Sequence, residues 1–141
     1  MDIQLAIKEE TDSHALSWAI KSPPACLRCG NPSTILSYTR PENPLGNGGR
    51  PYYKCPCGEF CCFGDMRGVH STNPHCYCSD FKLSKRQIAG WNNNQRVPRA
   101  IHYVCADGGC DFYDYELDEH GQVRIFQGPI LHPEAMARMG F

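Results

Sequence analysis

The stretch Asn47-Gly48-Gly49-Arg50-Pro51-Tyr52-Tyr53-Lys54-Cys55 lies at the centre of a cysteine pattern. Its glycines predict a turn, and its aromatic residues predict a strand that ends at a cysteine. The pair Cys26 and Cys29 precedes the stretch, and Cys61 follows it. Four thiolates in two clusters, separated by a turn and a strand, are typical of a closed tetrahedral zinc site.

The cysteine pattern occurs twice. Corresponding cysteines of the two units are 50, 50 and 49 residues apart, in the pairs Cys26/Cys76, Cys55/Cys105 and Cys61/Cys110. Aromatic residues recur with them: Tyr53 and Tyr103 precede the third cysteine by two positions, and Phe63 and Phe112 follow the fourth by two. Cysteines and aromatic residues that recur together predict a repeated unit.

The repeat predicts two zinc ions per chain, each with a structural role, because four thiolates leave no open coordination position. The predicted ligands of the first ion are Cys26, Cys29, Cys55 and Cys61, and those of the second are Cys76, Cys78, Cys105 and Cys110. Cys57 and Cys62 are close enough in sequence to compete with Cys55 and Cys61, and only the repeat register excludes them. The alternative interpretation makes both of them small buried filler residues.

The composition favours a reducing compartment. The chain has 141 residues and ten cysteines, without an early apolar run that resembles a signal peptide or a membrane span. Closely paired cysteines in the nucleus or cytoplasm favour zinc over disulfides, so we expect a nuclear or cytoplasmic protein that is not in a membrane. The net charge of −1 argues against a strong general affinity for nucleic acid, although the cysteine-rich units are mildly basic and the ends are acidic.

The first unit resembles the GRF-type zinc finger, on the paired first cysteines, the Asn-x-Gly-Arg turn at 47–50 and the aromatic Phe63. The resemblance covers residues 26–65 well and 76–115 less well, since Ala100 and Arg99 replace Arg50 and Gly49. It implies a three-stranded antiparallel sheet around one zinc ion, and binding of single-stranded nucleic acid. Because that family tolerates histidine in its first ligand pair, His70 and His75 are alternative ligands, although surface positions are preferred for both.

We therefore predict a small zinc-stabilised β fold, with two tandem three-stranded antiparallel zinc modules and short flanking helices. The predicted segments are an N-terminal helical segment at 1–25, module 1 at 26–65, a linker at 66–75, module 2 at 76–115, and a C-terminal strand and short helix at 116–141. The last helix is expected from Glu134 to Met139, with Met136 and Met139 facing the body of the protein.

The leading functional prediction is binding of single-stranded DNA or RNA without catalysis. Aromatic side chains would stack on bases and cations would neutralise phosphates, at Arg50, Tyr52, Lys54, Arg40 and Phe63. The competing interpretation of these residues is core packing and a solvated rim, with the zinc modules acting as an adaptor for a protein partner. Common hydrolase and nucleotide-binding motifs are missing. A small enzyme that uses Cys57 or Cys62 with His70 is a minor alternative.

Overall fold

The computed structural model describes residues 23–79, 82–90 and 97–141. Residues 1–22 of the predicted N-terminal helical segment lie outside the described residues. The described part forms two three-stranded antiparallel sheets and one short helix. This confirms the predicted small β fold with two modules. None of the described helices has the length and apolar character that crossing a membrane requires.

The first sheet contains β1 (Ile35–Tyr38), β2 (Pro51–Lys54) and β3 (Phe60–Phe63), in the order β1-β2-β3. The turn between β1 and β2 depends on two glycines. A side chain at Gly48 would begin 2.4 Å from the carbonyl oxygen of Pro41, and Gly49 has a φ of +76° while its N–H donates to Thr39 O at 3.0 Å. Only glycine adopts such a backbone at low cost, so the Gly-Gly pair allows β2 to return antiparallel to β1.

The pairing of β2 with β3 contains a bulge. Tyr53 lies opposite Cys62, and the next residue, Lys54, lies opposite Phe60. Cys61 is therefore an extra residue on β3, without a partner on β2. Bulges of this kind bend a strand and change the direction of its side chains.

The second sheet contains β4 (Ser84–Ile88), β5 (Ile101–Cys105) and β6 (Tyr113–Tyr115), in the order β4-β5-β6. Buried Lys85 on β4 connects this sheet to the first one, because its ammonium donates a hydrogen bond to the carbonyl oxygen of Phe63. Gly108 provides another contact: a side chain there would begin 3.0 Å from the sulfur of Cys62. The two sheets are thus in direct contact.

The first four residues of the segment predicted as a linker at 66–75 lie in the interior. Met66 and Val69 are 1% and 0% exposed and pack with Leu83 and Ala106 of the second module. Val69 also forms an antiparallel bridge with Lys85 at the outer edge of β4. The segment therefore packs against the second module and touches the edge of its sheet at Val69 as well as connecting the modules.

The C-terminal part closes over the second sheet. Helix α1 (Pro133–Arg138) begins with proline at its first turn, as predicted, and its Met136 is fully buried with Ile101 and Phe141. Met139 is 42% exposed, so the expectation that it faces the body is wrong: the helix ends at Arg138, before this residue. The predicted strand near Val123 is reduced to isolated bridges, in which Val123 pairs with Leu117 and Ile125 with Ala100.

Candidate metal centres and binding face

The second module brings four sulfur atoms together as predicted. The sulfurs of Cys76, Cys78, Cys105 and Cys110 lie within 4.8 Å of one another, and 3.7 Å separates Cys78 from Cys105. A tetrahedral zinc ion with bonds of about 2.3 Å places its sulfurs about 3.8 Å apart. The donor set and its spacing therefore fit a closed zinc site.

The first module forms a similar group with one different member. The sulfurs that come together belong to Cys26, Cys29, Cys55 and Cys57. Sulfur separations of 3.8 Å between Cys26 and Cys57 and 3.4 Å between Cys29 and Cys55 again suit tetrahedral zinc. The structure thus places Cys57, and not the predicted Cys61, in this group.

A tight turn explains the difference. The N–H of Gly58 donates to the carbonyl oxygen of Cys55 at 2.9 Å, and the φ of +99° at Gly58 folds the chain back. Cys57 is held next to Cys55 in this turn, while the bulge displaces Cys61 from the regular strand register. The repeat register could not reveal this, because the corresponding loop of the second module has no cysteine at that point.

The structure also shows where the other possible ligands lie, namely Cys62, His70 and His75. Cys62 is buried against Tyr53, as the filler interpretation predicts, with Cys61 packed against this pair. His70 lies 3.2 Å from the carbonyl oxygen of Gly140. Neither His70 nor His75 belongs to the two sulfur groups found among the described residues.

Within each sulfur group, the pKa values of the thiols shift in different directions. Burial raises the pKa of Cys78 to about 12 and also raises the pKa of Cys105. Burial also opposes ionisation of Cys110, but the backbone N–H groups of Phe112 and Tyr77 outweigh it and lower its pKa. In the first group, the backbone N–H of Cys29 lowers the pKa of Cys26 to about 7. Closely spaced thiols cannot all ionise by themselves, whereas a bound dication stabilises all four thiolates.

Arg50, the central predicted contact to nucleic acid, is a structural residue. Its side chain is 4% exposed, and its Nε and Nη2 donate to the two carboxylate oxygens of Asp65 at 2.9 and 2.7 Å. The guanidinium also lies over the ring of Phe63, 3.7 Å from the centroid. A buried carboxylate thus occupies the guanidinium that a phosphate contact would need, and in this structure Arg50 is not exposed on the surface. Asp65 is not among the predicted site residues, because its spacing from Arg50 gives no signal in the sequence.

Other predicted contacts lie on an accessible face of the first sheet. Tyr52 is half-buried opposite Phe63, and Lys54 and Arg40 are exposed. Phe60, which the prediction omitted, is 45% exposed, and its ring centroid lies 5.6 Å from that of Tyr52. We call the rings of Tyr52, Phe60 and Phe63 the aromatic face.

The aromatic face lines a groove of about 1010 Å³ between the two modules. On the opposite side, the second sheet contributes His102 and Tyr113, whose rings stack at 4.7 Å with an interplanar angle of 11°. Among the described lining residues, Arg28 and Arg40 are balanced by acidic side chains, Glu42, Glu59 and Asp111. The groove is therefore rich in rings and nearly neutral in charge.

Comparison with known proteins locates the family resemblance on the first module. No curated protein and no solved structure matches the chain. Residues 23–67 match the family model described as the GRF-like zinc ribbon domain, and the four-cysteine group of the second module fits a second zinc unit. Over residues 23–67 the chain is therefore similar to the GRF-like zinc ribbon domain, and its two four-cysteine groups could each hold a zinc ion.

Proposed function

We propose that the protein binds single-stranded nucleic acid through the aromatic face, and that its two zinc ions only hold the fold. The observation that carries this proposal is the set of three neighbouring rings, Tyr52, Phe60 and Phe63, on one open face of the first sheet. Bases stack on such rings with little preference for sequence, at about 1–3 kcal/mol for each base. The closed four-thiolate sites leave no position for catalysis.

The ring geometry supports stacking by more than one base. Tyr52 and Phe60 stack on each other with an interplanar angle of 24°, which leaves the outer face of each ring to a base, and Phe63 meets Phe60 edge-on at 5.0 Å. Phe63 is fixed from behind by the guanidinium of Arg50. Arg50 therefore supports the aromatic face instead of binding the ligand itself.

Phosphate contacts are assigned to two exposed cations beside these rings. Lys54 lies opposite Phe60 across the bulge, and Arg40 lines the groove. Arg28 is nearby, but it forms an exposed ion pair with Glu59 at 3.4 Å. Each loaded zinc site adds a formal charge of about −2, since four thiolates exceed one dication. We therefore expect modest affinity that comes mainly from stacking and depends weakly on salt.

A second candidate function is capture of a protein partner at the edge of the first sheet. Strand β1 has β2 as its neighbour on one side, and no described strand pairs with its other edge. Large apolar side chains are exposed along it: Ile35 at 58%, Leu36 at 43% and Tyr38 at 67%. Exposed apolar edges are sites where an extended peptide adds a strand.

The experiment is a titration of a fluorescent oligothymidylate with zinc-loaded protein at low and moderate salt. Tyr52→Ala and Phe60→Ala are expected to weaken binding by about fivefold or more each, from lost stacking. Tyr77→Ala is the matched control, because Tyr77 is 69% exposed and does not line the groove. Leu36→Lys should leave oligonucleotide binding unchanged while it blocks the edge of β1. Absence of binding by the zinc-loaded wild type at low salt would exclude the nucleic-acid proposal and favour the protein partner.

A further inference from the structure

We propose that the first four-cysteine group is an oxidation site, in which peroxide converts two ligand thiolates to a disulfide and releases the metal ion, while the second group keeps its own. The two groups have the same four-thiol donor set. They differ in how far the surrounding chain covers them. Because a thiolate reacts when a reagent in solution reaches it, this difference in cover sets the order in which the two groups are oxidised.

The first group presents two of its ligands to solvent. Cys29 and Cys57 are exposed, whereas the other two members of the group are buried. The loops that carry the exposed pair project into open space. A side chain at Gly30, directly after Cys29, or at Gly58, directly after Cys57, would meet no atom within 4 Å apart from those of its chain neighbours. Half of this donor set is therefore accessible from the surface.

The second group is covered by an aromatic ring and by its own loop. Cys76 and Cys105 are buried in one cluster with Phe112, which is only 7% exposed, and the other two cysteines are half-buried against this cluster. The loop before the last ligand is closely packed as well, because a side chain at Gly109 would begin 3.3 Å from the sulfur of Cys78. No cysteine of this group is exposed.

Each exposed thiol of the first group has a buried thiol beside it. The sulfur of Cys57 lies 3.8 Å from that of Cys26, and the sulfur of Cys29 lies 3.4 Å from that of Cys55. An accessible thiol next to a second one that can resolve its oxidised form is typical of redox-sensitive cysteines. The second group contains a pair at a comparable 3.7 Å. Access to solvent, and not the sulfur separation, therefore distinguishes the two groups.

The oxidant is hydrogen peroxide, and the reaction balances in two steps. The thiolate of Cys57 attacks one peroxide oxygen and the O–O bond breaks, which gives a sulfenic acid on Cys57 and one hydroxide. The thiolate of Cys26 then attacks this sulfur, the S–S bond forms, and the S–O bond breaks to release a second hydroxide. Two protons from solvent convert the hydroxides to water. The two sulfurs lose two electrons, which reduce the peroxide, and the same steps apply to Cys29 with Cys55.

The disulfide removes two of the four ligands of the first ion. Two thiolates do not close a tetrahedral site, so the ion is released. Structural zinc contributes folding energy, and its loss should therefore loosen the first sheet. Weaker oligonucleotide binding after oxidation is a further consequence, which rests on the proposed function. The position of the disulfide and the release of metal do not depend on that function.

The test treats the full zinc-loaded chain with hydrogen peroxide in the presence of a chromophoric zinc chelator, which reports the released metal. The protein is then denatured, its free thiols are alkylated with iodoacetamide, and peptide mass spectrometry locates the disulfide. The chelator without peroxide measures spontaneous loss of zinc. Cys61→Ser is the matched control, because Cys61 is half-buried and lies outside both sulfur groups.

We expect release of one zinc ion per chain at a rate proportional to the peroxide concentration, with the disulfide inside the first group. The cysteines of the second group should carry the alkyl label, and Cys61→Ser should release zinc at the wild-type rate. Equal oxidation of both groups, retention of both ions in excess peroxide, or release that does not depend on peroxide would overturn the proposal. Loss of release in Cys61→Ser would also overturn it, since Cys61 would then be the reactive thiol.

Discussion

Arg50 and Asp65 form a buried two-point ion pair in which both carboxylate oxygens accept from the same guanidinium, at 2.9 and 2.7 Å. The backbone N–H of Arg67 also contacts this carboxylate, at 3.3 Å, and Arg67 Nε in turn donates to the carbonyl oxygen of Phe141 at 3.1 Å. The ion pair therefore connects the zinc ribbon to the C-terminal part of the fold. The role of this ion pair is to hold the first module and the C-terminal part in place relative to each other.

Replacement of Arg50 by alanine is expected to destabilise the protein by about 3–5 kcal/mol, because it leaves the buried charge of Asp65 without a partner. Denaturant unfolding of the zinc-loaded protein measures this free energy. Arg40→Ala is the control, since an exposed arginine in the same module should change stability by less than about 0.5 kcal/mol. Equal effects of the two substitutions would contradict the structural role of Arg50.

Gly68→Ala is expected to weaken the contact between residues 66–75 and β4. Gly68 has a φ of +78°, and a side chain there would begin 2.5 Å from the carbonyl oxygen of Arg86. Gly121 has a φ of +76° with open space around it, so Gly121→Ala should show only the backbone cost of about 1–2 kcal/mol. Thermal unfolding should show a larger loss for Gly68→Ala, and similar losses would mean that the segment moves aside easily.

Tyr103 should ionise unusually late. Burial, followed by its hydrogen bond of 2.7 Å to Glu116, raises the pKa of Tyr103 to about 12. Because the folded state favours the neutral phenol, this stabilising contribution is present below the ordinary pKa of 10 and is lost as pH rises from 10 through about 12. Tyrosinate absorbance at 295 nm follows the titration.

Glu116→Gln removes the carboxylate charge next to Tyr103 and should lower the pKa of this late-titrating tyrosine. Glu119→Gln is the control, since Glu119 is 76% exposed and lies 3.7 Å from exposed His120. An identical tyrosinate titration in wild type and Glu116→Gln would show that the carboxylate does not act on Tyr103.

The salt dependence of oligonucleotide binding should identify the phosphate contacts. Lys54→Ala and Arg40→Ala are each expected to reduce the slope of log K against log salt by about 0.7, the value for one phosphate on a single strand. Arg124→Ala is a suitable control, because Arg124 pairs with Glu116 at 3.2 Å and does not line the groove. If Lys54→Ala and Arg40→Ala leave the slope unchanged, these two residues do not contact phosphates.

The repetition of cysteines and aromatic residues was sufficient to predict two zinc modules, because ligand spacing and strand alternation are local properties of sequence. The fourth member of the first group was not predictable in the same way. Its choice depends on the turn at Gly58 and the bulge at Cys61, which arise from tertiary pairing of β2 with β3. Register with the second module could not supply that information.

The role of Arg50 was also beyond local reasoning. An arginine in an exposed turn and an arginine in a buried ion pair look the same in sequence, and the deciding partner lies 15 residues further along the chain. The burial of Met66 and Val69 was hidden for a related reason. Their apolar side chains are separated by Arg67 and Gly68, so no periodic pattern marks the segment as interior.

Because residues 66–69 are buried between the modules, we expect that neither module folds on its own. A cut directly after Val69 would expose Met66 and Val69 on one fragment and the surface around Leu83 on the other. The two halves should therefore unfold in a single thermal transition, and loss of metal from one half should lower the stability of the other. A fusion protein that contains the first module would therefore have to include the second module as well.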